Sequence, residues 1–487
     1  MTRLVNTLDI SERMKGKFGC IEHSALNVRD NLLCLFIKLV RGVNSDDLSY
    51  FVKKCESNNV EDLVNLIIIW WETRANRLAG KGERSLFYDM IPSLIEVVGI
   101  EPILSTISLI PHFGYYKDFC YILEKNFDER LNEKIIDIYT KQLISDYKSF
   151  QKNEKISMAA KYAPSEKTHF QKIARIFAEK IFVDDKTCYK RYRKMKSELN
   201  QYLNLYHTKE FDEIHSIVSM PSLISKLSVY PFPDYEQDWY AQVNFVTRQI
   251  DKKVFQNALA LIDVSDSMKG KEDVGIGLGL MVSELSETFH NRLLTFGNDY
   301  TWITLDAMQS IHEKIQYIKQ EQKKGGRADL CKVMEKILSV CENLKLSSNE
   351  FPEVIFVFSD MQFTEANYNI RQNNGMLTHY ESLKIRFKEA GERICGKPYN
   401  IPRIVFWNTK ANSGGFQCVS SDNVQYFSGF DTCLFKYVNL HNNASQTLSH
   451  VLNDEKFLQI RHILSELKEG VFKDYEYCCE KDGFVIV

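Results

Sequence analysis

The sequence predicts a multidomain protein in which an all-α region, an irregular array of helices, precedes an α/β domain with a doubly wound sheet. Apolar residues recur with a helical period through most of the first half. From Asn257 onwards, short apolar runs alternate with amphipathic helices. Between these regions, the segment 230–238 contains two prolines, which interrupt a helix. The expected domains are an N-terminal extension (1–29), a helical array (30–235), the α/β domain (245–440), and a C-terminal helix and tail (441–487).

Length and composition limit the class of protein. At about 150 residues per domain, the 487 residues correspond to several domains. The 44% hydrophobic and 26% charged fractions are typical of globular proteins and exclude disorder, collagen and coiled coil for the whole chain. The net charge is −2, so affinity for nucleic acid or membranes requires a local patch of charge.

The sequence has no pattern typical of export or membrane insertion. Its longest apolar run, residues 63–71, is far shorter than the roughly 20 residues of a membrane-spanning helix. The first 20 residues carry several charges and lack the apolar core of a secretory signal. The 12 cysteines are scattered and include no C-x-x-C pair, which favours reduced thiols. We therefore expect an intracellular, cytoplasmic protein that is neither secreted nor bound to a membrane.

The helical array is predicted from periodicity and helix breakers. A 3.6-residue period joins Leu32, Leu33, Leu35, Phe36, Leu39 and Val40. Further amphipathic stretches begin near Met90, Glu101, Phe119, Glu133, Lys167 and Cys188. They are separated by glycines and prolines, among them Gly80, Gly82, Pro92, Pro111 and Pro164. Because no residue-level repeat is present, the array is expected to be irregular.

The α/β domain is predicted from the alternation of strands and helices. Strand-like runs cover 258–262, 292–296, 354–358, 403–407 and 424–427, and helical patterns cover 272–290, 308–320, 329–344 and 378–394. This alternation implies crossover connections and a mostly parallel sheet. Ligands of such sheets bind at the carboxyl ends of the strands.

Oxygen-bearing side chains follow two of these strands. Asp263, Ser265 and Ser267 follow the run 258–262, and Asp360 follows the run 354–358. Residues spaced by two in an extended loop point to the same side, so the three side chains of the first loop face one direction. Carboxylates and hydroxyls are hard ligands that suit Mg²⁺ or Mn²⁺. The sequence therefore predicts a metal site at this edge of the sheet.

The pattern Asp263-x-Ser265-x-Ser267 after an apolar strand resembles the metal-ion-dependent adhesion site of von Willebrand factor type A domains. This resemblance implies that the domain 245–440 has the type A fold, with Asp360 in the position of the family's second aspartate. It also implies that an acidic side chain of a protein partner completes the coordination of the metal.

One departure from the family affects the metal. The family has a threonine in a second loop, which here reads Gly325-Gly326-Arg327-Ala328-Asp329. Ala328 stands where the hydroxyl belongs and offers no oxygen, so we expect weakened metal binding. Three alternatives can fill the position of the absent hydroxyl: a water molecule, Asp329 turned inward, or the cation of Arg327 in place of the metal. The remaining alternative is a vestigial site in which Ser265 and Ser267 only cap the following helix.

The resemblance also extends over most of the chain. The segments 80–84, 159–164, 405–408 and 428–430 are similar to signatures of an uncharacterised family of plants, fungi and large DNA viruses. That family joins a helical N-terminal region to a type A domain. The layout is similar to the Ro autoantigen and other TROVE proteins, whose HEAT-like helical ring binds RNA. The resemblance makes a virus a candidate source and the virion a candidate location.

A basic segment in the helical array suggests an RNA partner independently. Residues 141–210 contain 16 Lys and Arg against 8 Asp and Glu. The densest cations are Lys186, Lys190, Arg191, Arg193, Lys194 and Lys196, and they alternate with Tyr189 and Tyr192. Such cations bind phosphates, and tyrosines stack on unpaired bases. The alternative is a solvated helix face without a nucleic-acid partner.

No residue pattern indicates an enzyme. The 11 histidines are dispersed, and the nucleophile elbow Gly-x-Ser-x-Gly is not present. Gly80-Lys81 lacks the first glycine and the preceding strand of a phosphate-binding loop. We therefore expect a non-enzymatic protein that binds a partner through its metal site. The alternative is a Ro-like protein that carries RNA on its basic helices.

Overall fold

A computed structural model describes residues 13–15, 21–24, 31–75, 80–206, 220–321, 325–347, 350–363, 378–410, 415–416 and 423–467. The α-helices of the first half are α1 (Asn31–Lys38), α2 (Ser45–Lys53), α3 (Val60–Arg74), α4 (Arg84–Asp89), α5 (Ile91–Val98), α6 (Glu101–Thr106), α7 (Ile110–Phe113), α8 (Tyr116–Lys125), α9 (Glu129–Gln151), α10 (Ala159–Tyr162), α11 (Gln171–Ile181) and α12 (Cys188–Tyr206). Those of the second half are α13 (Met220–Val229), α14 (Pro233–Thr247), α15 (Lys252–Gln256), α16 (Asp273–Leu285), α17 (Ile311–Glu321), α18 (Leu330–Leu344), α19 (His379–Cys395), α20 (Ala444–Leu452) and α21 (Leu458–Leu467). The strands are β1 (Arg13–Lys15), β2 (Ile21–Ser24), β3 (Ala258–Asp263), β4 (Arg292–Phe296), β5 (Tyr300–Thr304), β6 (Val354–Ser359), β7 (Arg403–Asn408), β8 (Gly415–Phe416) and β9 (Val424–Ser428).

The chain forms two compact units, each assembled from two stretches of sequence. The α/β unit comprises Met1–Asp47 and Val218–Asn453, and the helical unit comprises Leu48–Ile217 and Asp454–Val487. The predicted fold class, an all-α region with an α/β domain, is confirmed. The units are discontinuous in sequence, whereas the expected domains were contiguous.

The six-stranded sheet of the α/β unit has the order β5-β4-β3-β6-β7-β9. Every neighbouring pair is parallel except β4 and β5, which are antiparallel at one edge. All five predicted strands are present. The sheet is therefore mixed, with β5 as an edge strand that the sequence did not predict. A separate three-stranded sheet has the order β1-β2-β8.

Close packing of α16 on the sheet depends on glycine. A Cβ atom at Gly279 would lie 2.4 Å from the side chain of Ile262 on β3. A Cβ atom at Gly277 would lie 2.6 Å from the side chain of Met220 on α13. These distances are shorter than van der Waals contact, so a side chain at either position would force Ile262 or Met220 to shift, and glycine lets the helix approach both neighbours closely.

Helices from outside the strand-rich stretch complete the α/β unit. Helix α1 lies against β9, where the Ser428 hydroxyl donates to the carbonyl oxygens of Phe36 at 3.2 Å and Leu39 at 3.1 Å. Helix α13 contacts α17, where Nδ1 of His312 lies 2.6 Å from the carbonyl oxygen of Leu227. Both α1 and α13 fall within the range 30–235, which was expected to form the helical array.

The helical unit has an aromatic core at the end of α3. Trp70 stacks on Phe87 at 4.5 Å between ring centres, and its indole N–H donates to the Phe87 carbonyl at 2.7 Å. The C-terminal stretch of the unit packs on the same core, with Phe457 stacked on Phe113 at 5.9 Å. A buried ion pair between Lys456 and Glu72 at 2.5 Å joins the two stretches.

Within the described ranges, no individual helix has both the length and the apolar character of a membrane span. One pair of segments, Ile91–Val98 with Glu101–Phe113, satisfies the criterion jointly but is bent by 120°.

Candidate functional site

The predicted metal-site residues converge at the carboxyl ends of β3 and β6. Asp263 is the last residue of β3, and Asp360 directly follows β6. The two strands are parallel neighbours, with Ile262 opposite Phe358. This register places the two aspartates at one edge of the sheet, as the sequence predicted. Ser265 and Ser267 lie in the loop that follows β3.

The Asp263 carboxylate is completely buried and accepts hydrogen bonds from neutral donors. The Ser265 backbone N–H donates to one carboxylate oxygen at 2.9 Å. The Ser359 hydroxyl donates to the other at 2.5 Å. Ser359 was not among the predicted site residues. Its position at the end of β6, directly before Asp360, is the signal that identifies it once the strand register is known.

Burial and, to a smaller extent, the charge of Asp360 together raise the pKa of Asp263 to about 7. Asp360 is also fully buried, and one of its oxygens accepts from the Gln362 N–H at 3.2 Å. Two buried carboxylates that repel each other favour either a bound proton or a cation. A divalent cation satisfies both carboxylates at once.

Hydroxyl and amide oxygens accompany the two carboxylates. The Ser265 and Ser267 hydroxyls are 3.1 Å apart. The side-chain oxygen of Gln362 is buried and has no hydrogen-bond partner in the described part of the chain. No group of three His, Cys, Asp or Glu suited to a metal occurs among the described residues. The candidate donor set is therefore carboxylates and hydroxyls, which suits a hard cation.

The serines do not serve as helix caps. Ser265 precedes a short 3₁₀ turn, Asp266–Met268, but its side chain makes no capping hydrogen bond. Helix α16 begins later, after Glu272. The capping role that a vestigial site would give Ser265 is therefore not observed.

The second loop lies against the first but supplies no hydroxyl. The Gly326 carbonyl accepts from the Asp266 N–H at 2.8 Å. Ala328 is buried and forms a parallel bridge with Phe363, close to Asp360 in sequence. Asp329 caps α18, with a carboxylate oxygen accepting from the Lys332 N–H at 3.0 Å. One oxygen of Asp329 is thus already used for the helix, and the Arg327 side chain is exposed.

The basic helix α12 presents only part of the predicted nucleic-acid surface. Tyr192 is 1% exposed and donates its hydroxyl hydrogen to the Pro164 carbonyl at 3.0 Å. The Lys196 ammonium lies 2.5 Å from the Ala163 carbonyl, and burial lowers its pKa. Tyr192 therefore faces the interior of the helical unit, and Lys196 is half-buried. The prediction that Tyr192 stacks on bases is therefore corrected, whereas phosphate binding by Lys196 stays a prediction.

The other predicted cations differ in how far they are neutralised. Arg191 pairs with Asp185 at 2.8 Å, and Lys194 lies 3.8 Å from Glu198. Three further cations are exposed, and the described residues provide no ion pair for them: Lys186, Lys190 and Arg193. The Tyr189 hydroxyl accepts from the Glu166 N–H at 3.1 Å, and its ring is partly exposed.

The described residues form a helical region and an α/β domain with a mostly parallel six-stranded sheet. Residues 257–462 match the model of a domain family described as a "Domain of unknown function (DUF7788)". The chain is also similar to "Uncharacterized protein L728" of Acanthamoeba polyphaga mimivirus. The two are 23% identical over 511 residues, which span 87% of this chain and 85% of the viral protein.

A solved structure, described as "Crystal structure of Deinococcus radiodurans RO (RSR) protein", aligns with 87% of this chain and 98% of its own. The sequence identity is 9% and the TM-score is 0.31, which is too low to establish a common fold. The viral part of the expected family resemblance is confirmed by the mimivirus protein. The plant, fungal and TROVE relationships stay predictions.

Proposed function

We propose that this is a non-enzymatic binding protein whose α/β unit holds Mg²⁺ or Mn²⁺ at Asp263, Ser265, Ser267 and Asp360. Through this metal it binds an acidic side chain of a protein partner. The observation that carries the proposal is the burial of the Asp263 and Asp360 carboxylates at one sheet edge. The hydrogen-bond donors to Asp263 among the described residues belong to Ser265 and Ser359 and are neutral, so a cation would balance its charge.

The donor set also explains why a partner is part of the proposal. Mg²⁺ prefers about six oxygens and usually takes only a few of them from one protein. The two aspartates and two serines leave positions for water or for a carboxylate of another protein. Because Ala328 provides no oxygen, a further water is expected there. We therefore expect weaker metal binding than a complete site would give.

The first test is a calorimetric titration of Mg²⁺ and Mn²⁺ into the full-length protein and into Asp263→Ala. We expect a binding heat that is lost in the variant. The matched control is Asp266→Ala in the same loop, because Asp266 is exposed and pairs with Lys269 at 2.6 Å. This control is expected to bind metal like the wild type. Absence of binding to the wild type, or equal binding to Asp263→Ala, contradicts the proposal.

The same calorimetric titration also tests whether a substitution can increase the affinity for the metal. Ala328→Thr introduces the absent hydroxyl, and a bond to a charged group contributes about 1.5–3 kcal/mol. We expect metal affinity to increase about tenfold or more. The valine of Ala328→Val has nearly the same shape as threonine but no oxygen. This variant therefore shows whether a change in metal affinity comes from coordination by the hydroxyl or from packing. Equal affinity in both variants would show that residue 328 does not face the metal.

A second candidate function is nucleic-acid binding by α12. Lys186, Lys190 and Arg193 support it because they are exposed, and the described residues provide no ion pair for them. The first turn of α12 contains cations and no acidic residue. Cations are unfavourable at this end of a helix, because the N-terminus carries a partial positive charge. Helix stability therefore does not explain this charge, whereas a bound polyanion does.

The test measures fluorescence anisotropy of a labelled single-stranded RNA at several salt concentrations. Each phosphate contact contributes about 0.7 to the slope of log affinity against log salt. The double variant Lys190→Ala/Arg193→Ala is expected to lower this slope by about 1.4. Lys194→Ala serves as control because Glu198 lies beside it. An unchanged slope in the double variant contradicts RNA binding by α12.

A further inference from the structure

The segment 80–84 of the helical unit is buried except at its last residue. Gly80, Lys81, Gly82 and Glu83 are all buried, and Lys81 is fully enclosed. Arg84 is exposed at the start of α4. Its guanidinium lies 5.2 Å from the ring centre of Tyr121 on α8. The buried part of the segment thus fixes the position of one exposed cation beside an aromatic ring.

A second cation approaches the same ring. The Lys117 ammonium, one helical turn before Tyr121, lies 5.4 Å from its ring centre. Tyr121 is partly exposed, and its ring packs against Tyr88 at 5.7 Å and against Phe170 at 5.2 Å between ring centres. Two positive charges therefore lie close to one packed and partly accessible ring.

The described residues provide no ion pair for Arg84 or Lys117, because the nearby acidic groups have other partners. Asp118 accepts from Arg74 at 2.8 Å and from the Tyr88 hydroxyl at 2.5 Å. Asp89 pairs with Lys125, and Glu124 lies 3.9 Å from His169. Two like charges close together repel each other. An anionic ligand between them relieves that repulsion.

We propose that Tyr121, Arg84 and Lys117, together with His169, form a binding site for a nucleotide of single-stranded nucleic acid. The ring of Tyr121 or the guanidinium plane of Arg84 stacks on an unpaired base, and the two cations contact its flanking phosphates. The His169 ring lies 6.1 Å from Tyr121 and extends the aromatic surface. An acidic peptide would use the cations but not the aromatic rings, so the combination favours a nucleotide.

The site continues towards the basic helix through one short segment. Residues 165–170 contact Tyr189 of α12 at Glu166 and contact Tyr121 of α8 at His169. Lys167 is exposed between them. A single strand lying along this segment meets cations and aromatic rings at both ends. The proposal takes its ligand class from the second candidate function but uses residues of other helices.

The experiment uses the full-length protein and a labelled oligouridylate of about twelve nucleotides, within the usual range of single-strand site sizes. Arg84→Ala/Lys117→Ala is expected to lower the salt slope by about 1.4. Tyr121→Leu is expected to weaken binding by about tenfold without changing the slope, because stacking is not ionic. Lys125→Ala on the same helix is the control, since Asp89 already neutralises Lys125 at 2.7 Å.

The outcomes separate this site from both functions proposed above. Loss of binding in Arg84→Ala/Lys117→Ala, with wild-type thermal unfolding, supports the site. Loss only in Lys190→Ala/Arg193→Ala shows that nucleic acid binds α12 alone and overturns the Tyr121 site. Displacement of the oligouridylate by polyglutamate at equal charge concentration also overturns it, in favour of an acidic partner. No binding to the wild type overturns both nucleic-acid proposals and leaves the metal proposal unaffected.

Discussion

The carboxyl group of Asp263 has a pKa near 7 in the folded protein because it is buried beside Asp360. In the unfolded chain its pKa is near the ordinary value of 3.8. Between these two pH values the folded state binds a proton that the unfolded state has released. The free energy of unfolding of the metal-free protein therefore decreases as pH rises from about 4 to 7. Above pH 7 this group causes no further decrease. The total decrease is about 4 kcal/mol.

Asp263→Asn is expected to remove this pH dependence. The amide has the shape of the carboxylate but carries no charge, so the metal-free variant should exceed the wild type in unfolding free energy at pH 8. At pH 4 the two should be nearly equal. Urea unfolding at both pH values, in the presence of a chelator, measures the difference. The exposed Asp266→Asn is the control, and a wild-type profile parallel to that of Asp263→Asn would contradict the burial argument.

The residues of the candidate site differ in how far sequence alone predicts them. Asp263 and Asp360 follow from the rule that parallel strands end at one edge. Ser359 does not, because its hydrogen bond to Asp263 depends on the register between β3 and β6. The burial of Tyr192 was predictable, since it begins an apolar stripe that is buried along α12. The stripe consists of Tyr192, Met195, Leu199, Tyr202 and Leu203.

Among the elements, strands with continuous apolar runs were the most predictable. Strands β3, β6, β7 and β9 are buried along their whole length. Strand β5 was not predicted because, as an edge strand, it has only one buried residue, Ile303. The small sheet β1-β2-β8 pairs residues almost 400 positions apart, and no local pattern indicates such a pairing.

The segment 159–164 shows how one element fixes another. Its carbonyl groups accept hydrogen bonds from α9 and α12: Ala159 from Tyr139, Ala160 from Asn200, Ala163 from Lys196 and Pro164 from Tyr192. Because side chains of α12 donate to these carbonyl groups, the segment fixes the orientation of α12 about its own axis. That orientation leaves Lys190 and Arg193 exposed.

At the scale of the whole molecule, the two discontinuous units could not be derived from sequence. The proline-containing segment 230–238 predicts a boundary, yet α13 before it and α14, which begins within it, belong to the same unit. Prolines there end α13 and begin α14, since Pro233 occupies the first position of that helix. A helix break and a domain boundary have the same local pattern, and only packing distinguishes them.

The discontinuous α/β unit leads to a prediction about fragments. A fragment of residues 245–440 lacks α1 and α13, so Ser428 loses two acceptors and Gly277 faces no neighbour. Four large buried side chains of α1 are also absent, namely Leu33, Leu35, Phe36 and Ile37. Each contributes about 1.5–3 kcal/mol when buried. We expect this fragment to unfold at a temperature at least about 10 °C lower than a matched fragment that retains them.

The matched fragment joins residues 31–47 to residues 218–453 through a flexible linker and so contains the six-stranded sheet together with α1 and α13. Circular dichroism on heating compares the two fragments, and magnesium calorimetry tests the site in each. If 245–440 unfolds at the same temperature as the matched fragment, α1 and α13 contribute no stability to the sheet. If the 245–440 fragment unfolds at a lower temperature but keeps its metal affinity, the metal site at Asp263 needs only the strands of the sheet. This outcome is possible because the proposed ligands follow β3 and β6.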